Sequence, residues 1–366
     1  MSDVSILSTL DPQTVFEGRE NKRKAFLAQN GYKSSMILPL TEDGSFRRYY
    51  RVNSTGDFAI LMDSVPELET IWASSHRLKD YVPIAKALRS VGISAPEIYA
   101  SDIENGFCLM EDLGKDSYQH RLQNGHGERD LFEHAVGVLE VFRDNPKLNA
   151  LPLQNFFNTG VFERKDQICT WYYPALTGQI MSPALKSDFD SAWDKIMDDL
   201  PDIEMCFQHG DFHIDNLTYL EDREGIQKCG IFDFQGAIEG PMPYDLVNLL
   251  EDARRSMEPA MKAGLKDQYC KGFSPEEREN FDAWYTVLSA IFHCRVIGYF
   301  TQVYVRDNKD QYLEHLPRMR AYIQSTLETD IMKPLKEWFD MSNLSLSQPL
   351  PHFDIEEIKA LIGNIA

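Results

Sequence analysis

Apolar residues recur in two patterns along this chain, and the change between them falls near residue 114. Upstream, short apolar runs alternate with turn formers: Met36–Leu40, Arg47–Val52 and Phe58–Met62, separated by Thr41–Phe46 and Asn53–Gly56. Runs bounded in this way predict three strands in an antiparallel meander. Ala95–Ala100 and Gly106–Met110 add two more strands across Glu104-Asn105. Two helices accompany them. Val15–Asn30 opens near Asp11-Pro12 and stops at Gly31, and its few apolar positions suit the surface of a lobe. Ile71–Val91 carries Leu78, Tyr81, Ile84, Ala85, Leu88 and Val91 at helical spacing, with Pro83 predicting a kink or a break into two helices.

From Tyr118 the period becomes three to four. Helices are predicted over Asp130–Phe142, Phe189–Leu200, Tyr244–Ala253, Pro259–Gly272, Pro275–Thr301 and Leu316–Phe339. A polar, Pro-containing connector after Asp340 leads to a short helix, Ile355–Ile362. One hairpin interrupts the helical half. Its strands are Asn216–Leu220 and Lys228–Phe232, joined by a turn at Glu221–Gly225. His209 and Asp211 precede the first arm, Asn216 opens it and Asp233 follows the second. The two ends of a hairpin are neighbours in space, so these polar residues are expected to cluster.

Such a cluster suits metal-assisted phosphoryl transfer, which needs a carboxylate beside the acceptor hydroxyl and oxygen ligands that hold Mg²⁺ against phosphates. Other readings are weaker. A His209-x-x-x-His213 metal pair would need a helix, and Gly210 opposes one. Gly114-Lys115 lacks the glycine spacing and the following Ser or Thr of a phosphate-binding P-loop.

Bulk properties narrow the class. At 366 residues the chain exceeds one ordinary core, and 43% hydrophobic with 26% charged residues suits a globular enzyme. The net charge of −20, from 57 acidic and 37 basic residues, argues against a nucleic-acid partner. Six cysteines without C-x-x-C spacing fit a reducing cytoplasm. The opening residues include Asp3 and Asp11 with no continuous apolar run, which does not suit a signal peptide, and no window is apolar enough to span a membrane. A cytoplasmic monomer with no membrane partner is the expectation.

The spacing H-x-D-x-x-x-x-N, followed 17 positions after Asn216 by Asp233, is that of eukaryotic-type kinases. The variant H-G-D-F-H-I-D-N resembles the aminoglycoside phosphotransferase branch of that superfamily. Further segments narrow the resemblance: P-L-T-E-D-G-S-F-R-R-Y-Y-R-V, L-M-E-D-L-G-K-D-S-Y and I-F-D-F-Q-G-A-I-E-G-P-M-P-Y-D-L. With R-V-I-G-Y-F-T-Q-V-Y-V-R-D they look like the bacterial anomeric N-acetylmuramate/N-acetylglucosamine kinases of cell-wall recycling, over about residues 12–335.

The resemblance implies an α+β, two-lobed, protein-kinase-like fold. Residues 1–33 would be a helical lead, 34–114 the nucleotide-binding lobe, 115–340 the catalytic and sugar-binding lobe, and 341–366 a tail. It implies ATP and Mg²⁺, with Asp211 as catalytic base, His209 bracing its loop, and Asn216 and Asp233 as metal ligands. Gly44 and Ser45 would meet the nucleotide phosphates, while main-chain groups of Glu111 and Leu113 in a 111–114 hinge would meet adenine. The third strand of the meander carries Met62-Asp63 where kinases carry a phosphate-pairing Lys, as the resembled group also does; Arg48, before Arg47 or Arg51, is the expected substitute cation. Gly210 and Gly236 depart from the group, which commonly has Arg and Asp there. Arg254, Arg255, Arg295 and Arg306 are candidates for an acceptor carboxylate, and Asp245 for bracing the catalytic loop. Phosphorylation of an aminoglycoside or another small alcohol such as choline, or a nucleotide-binding pseudokinase or assembly partner, are the alternatives.

Overall fold

A computed structural model describes residues 16, 18–32, 36–40, 47–54, 56–66, 77–351 and 353–363. In chain order, the first part holds α1 (Glu20–Gln29), β1 (Met36–Pro39), β2 (Arg48–Ser54), β3 (Asp57–Asp63), α2 (Leu78–Ser90), β4 (Ile98–Asp102) and β5 (Phe107–Glu111). Then come α3 (Tyr118–Gln123), α4 (Glu128–Asp144), α5 (Pro146–Asn149), β6 (Gln154–Asn155), α6 (Tyr173–Thr177), α7 (Pro183–Asp198) and β7 (Met205–Gln208). The hairpin strands are β8 (Leu217–Tyr219) and β9 (Cys229–Ile231), followed by β10 (Ile238–Pro241). The chain closes with α8 (Tyr244–Leu250), α9 (Pro259–Tyr269), α10 (Pro275–Asp307), α11 (Leu316–Thr326), α12 (Lys333–Met341) and α13 (Ile355–Gly363). The two compact units are discontinuous: the described residues up to Leu151 with His209–Ala237, and Pro152–Gln208 with the described residues from Ile238 on.

In the first unit five antiparallel strands run in the order β1-β2-β3-β5-β4. Alternation turns Ala59 and Leu61 to one face, where Phe26 and Leu27 of α1 pack with Val52, Phe107 and Leu109. Asp63 shares that face and is fully buried, a position where a lone carboxylate would be costly. Two cations meet it: Arg19 Nε lies 2.8 Å from one carboxylate oxygen and Arg23 Nη1 lies 2.9 Å from the other. Their guanidinium groups also stack on Phe107 and Tyr50. The helix expected on the surface is therefore docked through two buried arginines, which an apolar count cannot register.

Helix α2 covers residues of the other face. It is continuous from Leu78 through Pro83, and the expected start at Ile71 lies outside the described residues. Its Tyr81 donates to Met110 Sδ at 3.2 Å and stacks on Phe234 with ring centroids 4.7 Å apart. The β8–β9 hairpin belongs to this unit because main-chain bonds stitch it in: Tyr219 N–H to Asp116 O, and Ile231 N–H to Ser94 O at 3.0 Å. The expected boundary at residue 114 and the compact units thus divide the chain differently.

The second unit is mainly helical around α10, whose 33 residues start at a Ser274/Glu277 capping box and are buried along most of their length. Gly298 is needed there, since a Cβ would meet the Gln167 carbonyl carbon at 2.1 Å. Two expectations are corrected. Leu316–Phe339 is two helices, α11 and α12, with Pro334 in the first turn of the second, where proline is tolerated. Ile238–Pro241 is strand β10, antiparallel to β7 and parallel to β6, so the expected hairpin is not the one β interruption of the helical half. Pro241 closes the strand, where its missing donor costs least.

Asp63→Ala would leave two buried guanidinium groups without their anion. We expect a loss of about 3–5 kcal/mol in chemical denaturation. A loss under about 1 kcal/mol, the range of an exposed ion pair, would show that the cluster does not hold α1.

Candidate active site

The site is built on the first unit's hairpin. Pairing of Leu217 with Ile231 sets Asn216 beside Phe232, and Phe232 N–H donates to Asn216 O at 2.9 Å. Asp233 follows in the left-handed region, φ 59° and ψ 31°, a conformation uncommon for a residue with a Cβ. Such residues concentrate at functional sites. The turn frees its side chain from the strand, and one oxygen accepts Gln235 Nε2 at 2.5 Å.

His209 is 1% exposed and locks the other side. Its Nε2 lies 2.6 Å from Phe232 O, which can only accept, and its Nδ1 receives Asp211 N–H at 3.3 Å. These two bonds fix the neutral Nε2–H tautomer. Burial holds the imidazole below its ordinary pKa, in the same sense. The Asn216 amide nitrogen donates to Asp211 O at 2.9 Å. Both main-chain groups of Asp211 are therefore held, one by His209 and one by Asn216, while its carboxylate stays 45% exposed.

Because the Asn216 nitrogen is engaged, its Oδ1 points elsewhere and meets no partner among the described residues. Asn216 Oδ1 and the Asp233 carboxylate make a hard, all-oxygen donor set, which fits Mg²⁺. No group of three or more His, Cys, Asp or Glu residues among the described residues could hold a metal by itself. His209 and His213 both use their ring nitrogens within the loop, so they do not form the alternative metal pair.

The remaining expected residues fall as follows. Gly44 and Ser45 lie outside the described residues. Arg48 sits opposite Asp63 on the α1 face, its guanidinium 5.1 Å from the centre of the Phe16 ring. That turns it away from the face of Met62 and Met110. Arg51 is on the opposite side of β2 but clamps Asp112 in the hinge with both Nε and Nη2. Arg47 is buried, with Nε donating to Ser64 Oγ. The Glu111 side chain bonds Arg89 and Arg223, and its N–H donates to Glu97 O. Among the described residues, nothing hydrogen-bonds the main chain of Leu113.

In the second unit, Asp245 lies in the first turn of α8 and its N–H donates to Gln208 Oε1 at 2.9 Å. Arg254 pairs with Asp252, Arg306 with Asp307, and Arg295 donates to Tyr244 Oη.

Residues 37–286 match the profile of the phosphotransferase enzyme family known as APH, well over half of the chain. The chain belongs to this family. Among curated relatives, the N-acetylmuramate/N-acetylglucosamine kinase of Caulobacter vibrioides is 28% identical, over 89% of this chain and 97% of that one. The kinase of the same name from Pseudomonas aeruginosa is 30% identical, over 80% and 83%. Among solved structures, a choline/ethanolamine kinase family protein from Mesorhizobium loti superposes with a TM-score of 0.55 at 13% identity, covering 88% of this chain and 99% of that one. Aminoglycoside 2'-phosphotransferase-IIIa in complex with GDP gives 0.55 at 14% identity, over 83% and 98%. These likenesses establish the α+β kinase-like fold of this phosphotransferase. No helix among its described residues is long and apolar enough to cross a membrane.

Sequence reasoning passed over Gln235, and it named Arg51 only as a candidate phosphate cation, not as the partner of Asp112. Gln235 had a signal, since it sits two residues past the metal-ligand candidate; the Arg51 pairing had none, because its partner is 61 residues away.

If the roles follow the geometry, Asp211→Asn lowers turnover by about 10²–10⁴-fold and keeps the thermal shift given by Mg²⁺ and ATP. Asp233→Ala loses that shift. Equal shifts in both variants would contradict the division of labour.

Proposed function

We propose that this phosphotransferase moves the γ-phosphate of ATP to the anomeric hydroxyl of N-acetylmuramate, N-acetylglucosamine or both, as a step of peptidoglycan recycling. The observation that carries the reaction is the loop in which Asp211, Asn216 and Asp233 are held to one end of a single hairpin. The sugar rests on the curated relatives, which share this acceptor name and match 80–89% of this chain.

Asn216 Oδ1 and the Asp233 carboxylate would hold Mg²⁺, which when bound neutralises charge on the β- and γ-phosphates. Leu113 in the hinge offers a main-chain donor and acceptor of the kind an adenine edge uses. Asp211 orients the acceptor hydroxyl. As the acceptor oxygen bonds to the γ-phosphorus, the bridging P–O bond to the β-phosphate breaks, ADP leaves, and the hydroxyl proton passes to Asp211. An anomeric hydroxyl is more acidic than other sugar alcohols, so a half-exposed carboxylate is an adequate base. Positioning supplies much of the remaining rate. The six buried free thiols support a cytoplasmic setting.

The net charge of −20 favours a second reading, a cationic acceptor such as an aminoglycoside or choline. The ³¹P NMR spectrum of products from N-acetylmuramate, N-acetylglucosamine, kanamycin and choline separates the two. A sugar 1-phosphate, split by the anomeric proton, is expected. Phosphorylation of kanamycin or choline alone would overturn the sugar assignment. A Mg²⁺-ATP thermal shift with no acceptor consumed would point to a pseudokinase.

A further inference from the structure

We propose that His213 is a positioning residue for phosphoryl transfer: one imidazole orients the Asp211 carboxylate and caps the turn that carries Asn216. The inference rests on the catalytic reading of Asp211 given above.

The ring's two nitrogens have different surroundings. Nδ1 lies 3.3 Å from Asp215 N–H, which can only donate, so Nδ1 holds a lone pair. That bond makes His213 the N-cap of the 3₁₀ turn Ile214–Asn216. A neutral ring then carries its proton on Nε2. Nε2 lies 3.3 Å from Asp211 Oδ2 and 3.4 Å from Asn216 Nδ2. Two N–H groups cannot bond each other, and the Asn216 nitrogen donates to Asp211 O instead. The Nε2 proton is therefore directed at the Asp211 carboxylate.

The ring is 13% exposed, whereas the carboxylate it faces is 45% exposed. A largely buried donor thus holds a carboxylate that must stay open to the acceptor. His209 uses the same device one step earlier, its Nδ1 receiving the N–H two residues on and its Nε2 tying down Phe232 O. The two histidines divide the work: His209 holds the backbone of Asp211 and His213 its side chain. A neutral donor orients the carboxylate without placing a full positive charge beside it, which would weaken a base.

Two substitutions separate the cap from the orientation. His213→Asn keeps an acceptor where Nδ1 stands and cannot reach Asp211; His213→Gln carries an amide N–H to the reach of Nε2. In His213→Asn we expect kcat to fall on the order of 100-fold, the cost of a misplaced reacting group. KM for Mg²⁺-ATP should stay within about 2-fold and Tm within about 2 °C. His213→Gln should recover most of kcat. Wild-type kcat in His213→Asn overturns the proposal, as does an equal fall in both variants that tracks a loss of Tm. Imidazole ¹⁵N NMR adds a test that needs no turnover. The ring signal missing from the His213→Asn spectrum should be an Nε2–H tautomer, and an Nδ1–H tautomer overturns the inference. A chain inactive on every sugar would sink the acceptor assignment and leave this tautomer result standing.

Discussion

Three residue pairs between β8 and β9 are the constraint on which the site depends. Antiparallel pairing has one register here, and slipping it by a single residue would turn Leu217 and Ile231 out of the core. Gly230 tightens the pairing further, because a Cβ there would lie 2.6 Å from Thr218 Cγ2. With that register set, Asn216 and Phe232 share a main-chain bond and Asp233 is delivered to the same end as Asp211. The chemistry is downstream of a short ladder.

Neutral groups then do the aiming. Gln235 takes Asp233, Asn216 and His209 take the Asp211 main chain, and His213 faces its carboxylate. The cations of the N-terminal sheet have structural partners instead: Arg19 and Arg23 meet Asp63, and Arg51 meets Asp112. Where kinases set an ion pair between the third strand and the following helix, this chain has Met62 and the Tyr81–Phe234–Met110 contact. The two departures from the resembled group also prove to be neighbours. Gly210 has φ +89°, and a Cβ on it would lie 3.2 Å from Gly236 O. A glycine at one position is thus matched to the backbone at the other.

The hairpin and the residues at its ends could be read from the sequence because turn chemistry and motif spacing are local signals. The five-stranded sheet was equally readable, since each strand is a short apolar run between Gly, Asn or Asp turns. What escaped depends on distant partners. Nothing near Asp63 in sequence announces that Arg19 and Arg23 will cover it, and nothing near Arg51 announces Asp112. Strand β10 escaped because the composition around Gly240-Pro241 does not reveal a strand whose hydrogen bonds come from β7. The break between α11 and α12 was signalled by Pro334 and outweighed by a continuous apolar stripe. His213 was weighed only as half of a metal pair and set aside because Gly210 opposes a helix; its ring nitrogens are engaged inside the loop.

The central claim is that Asn216 and Asp233 hold one divalent ion beside Asp211. A crystal of the protein grown with Mn²⁺ and a non-hydrolysable ATP analogue tests it most directly, since Mn²⁺ scatters anomalously. The account predicts an anomalous peak within bonding distance of Asn216 Oδ1 and an Asp233 carboxylate oxygen, about 2.0–2.3 Å away. A nucleotide-bound peak that touches neither residue would contradict it.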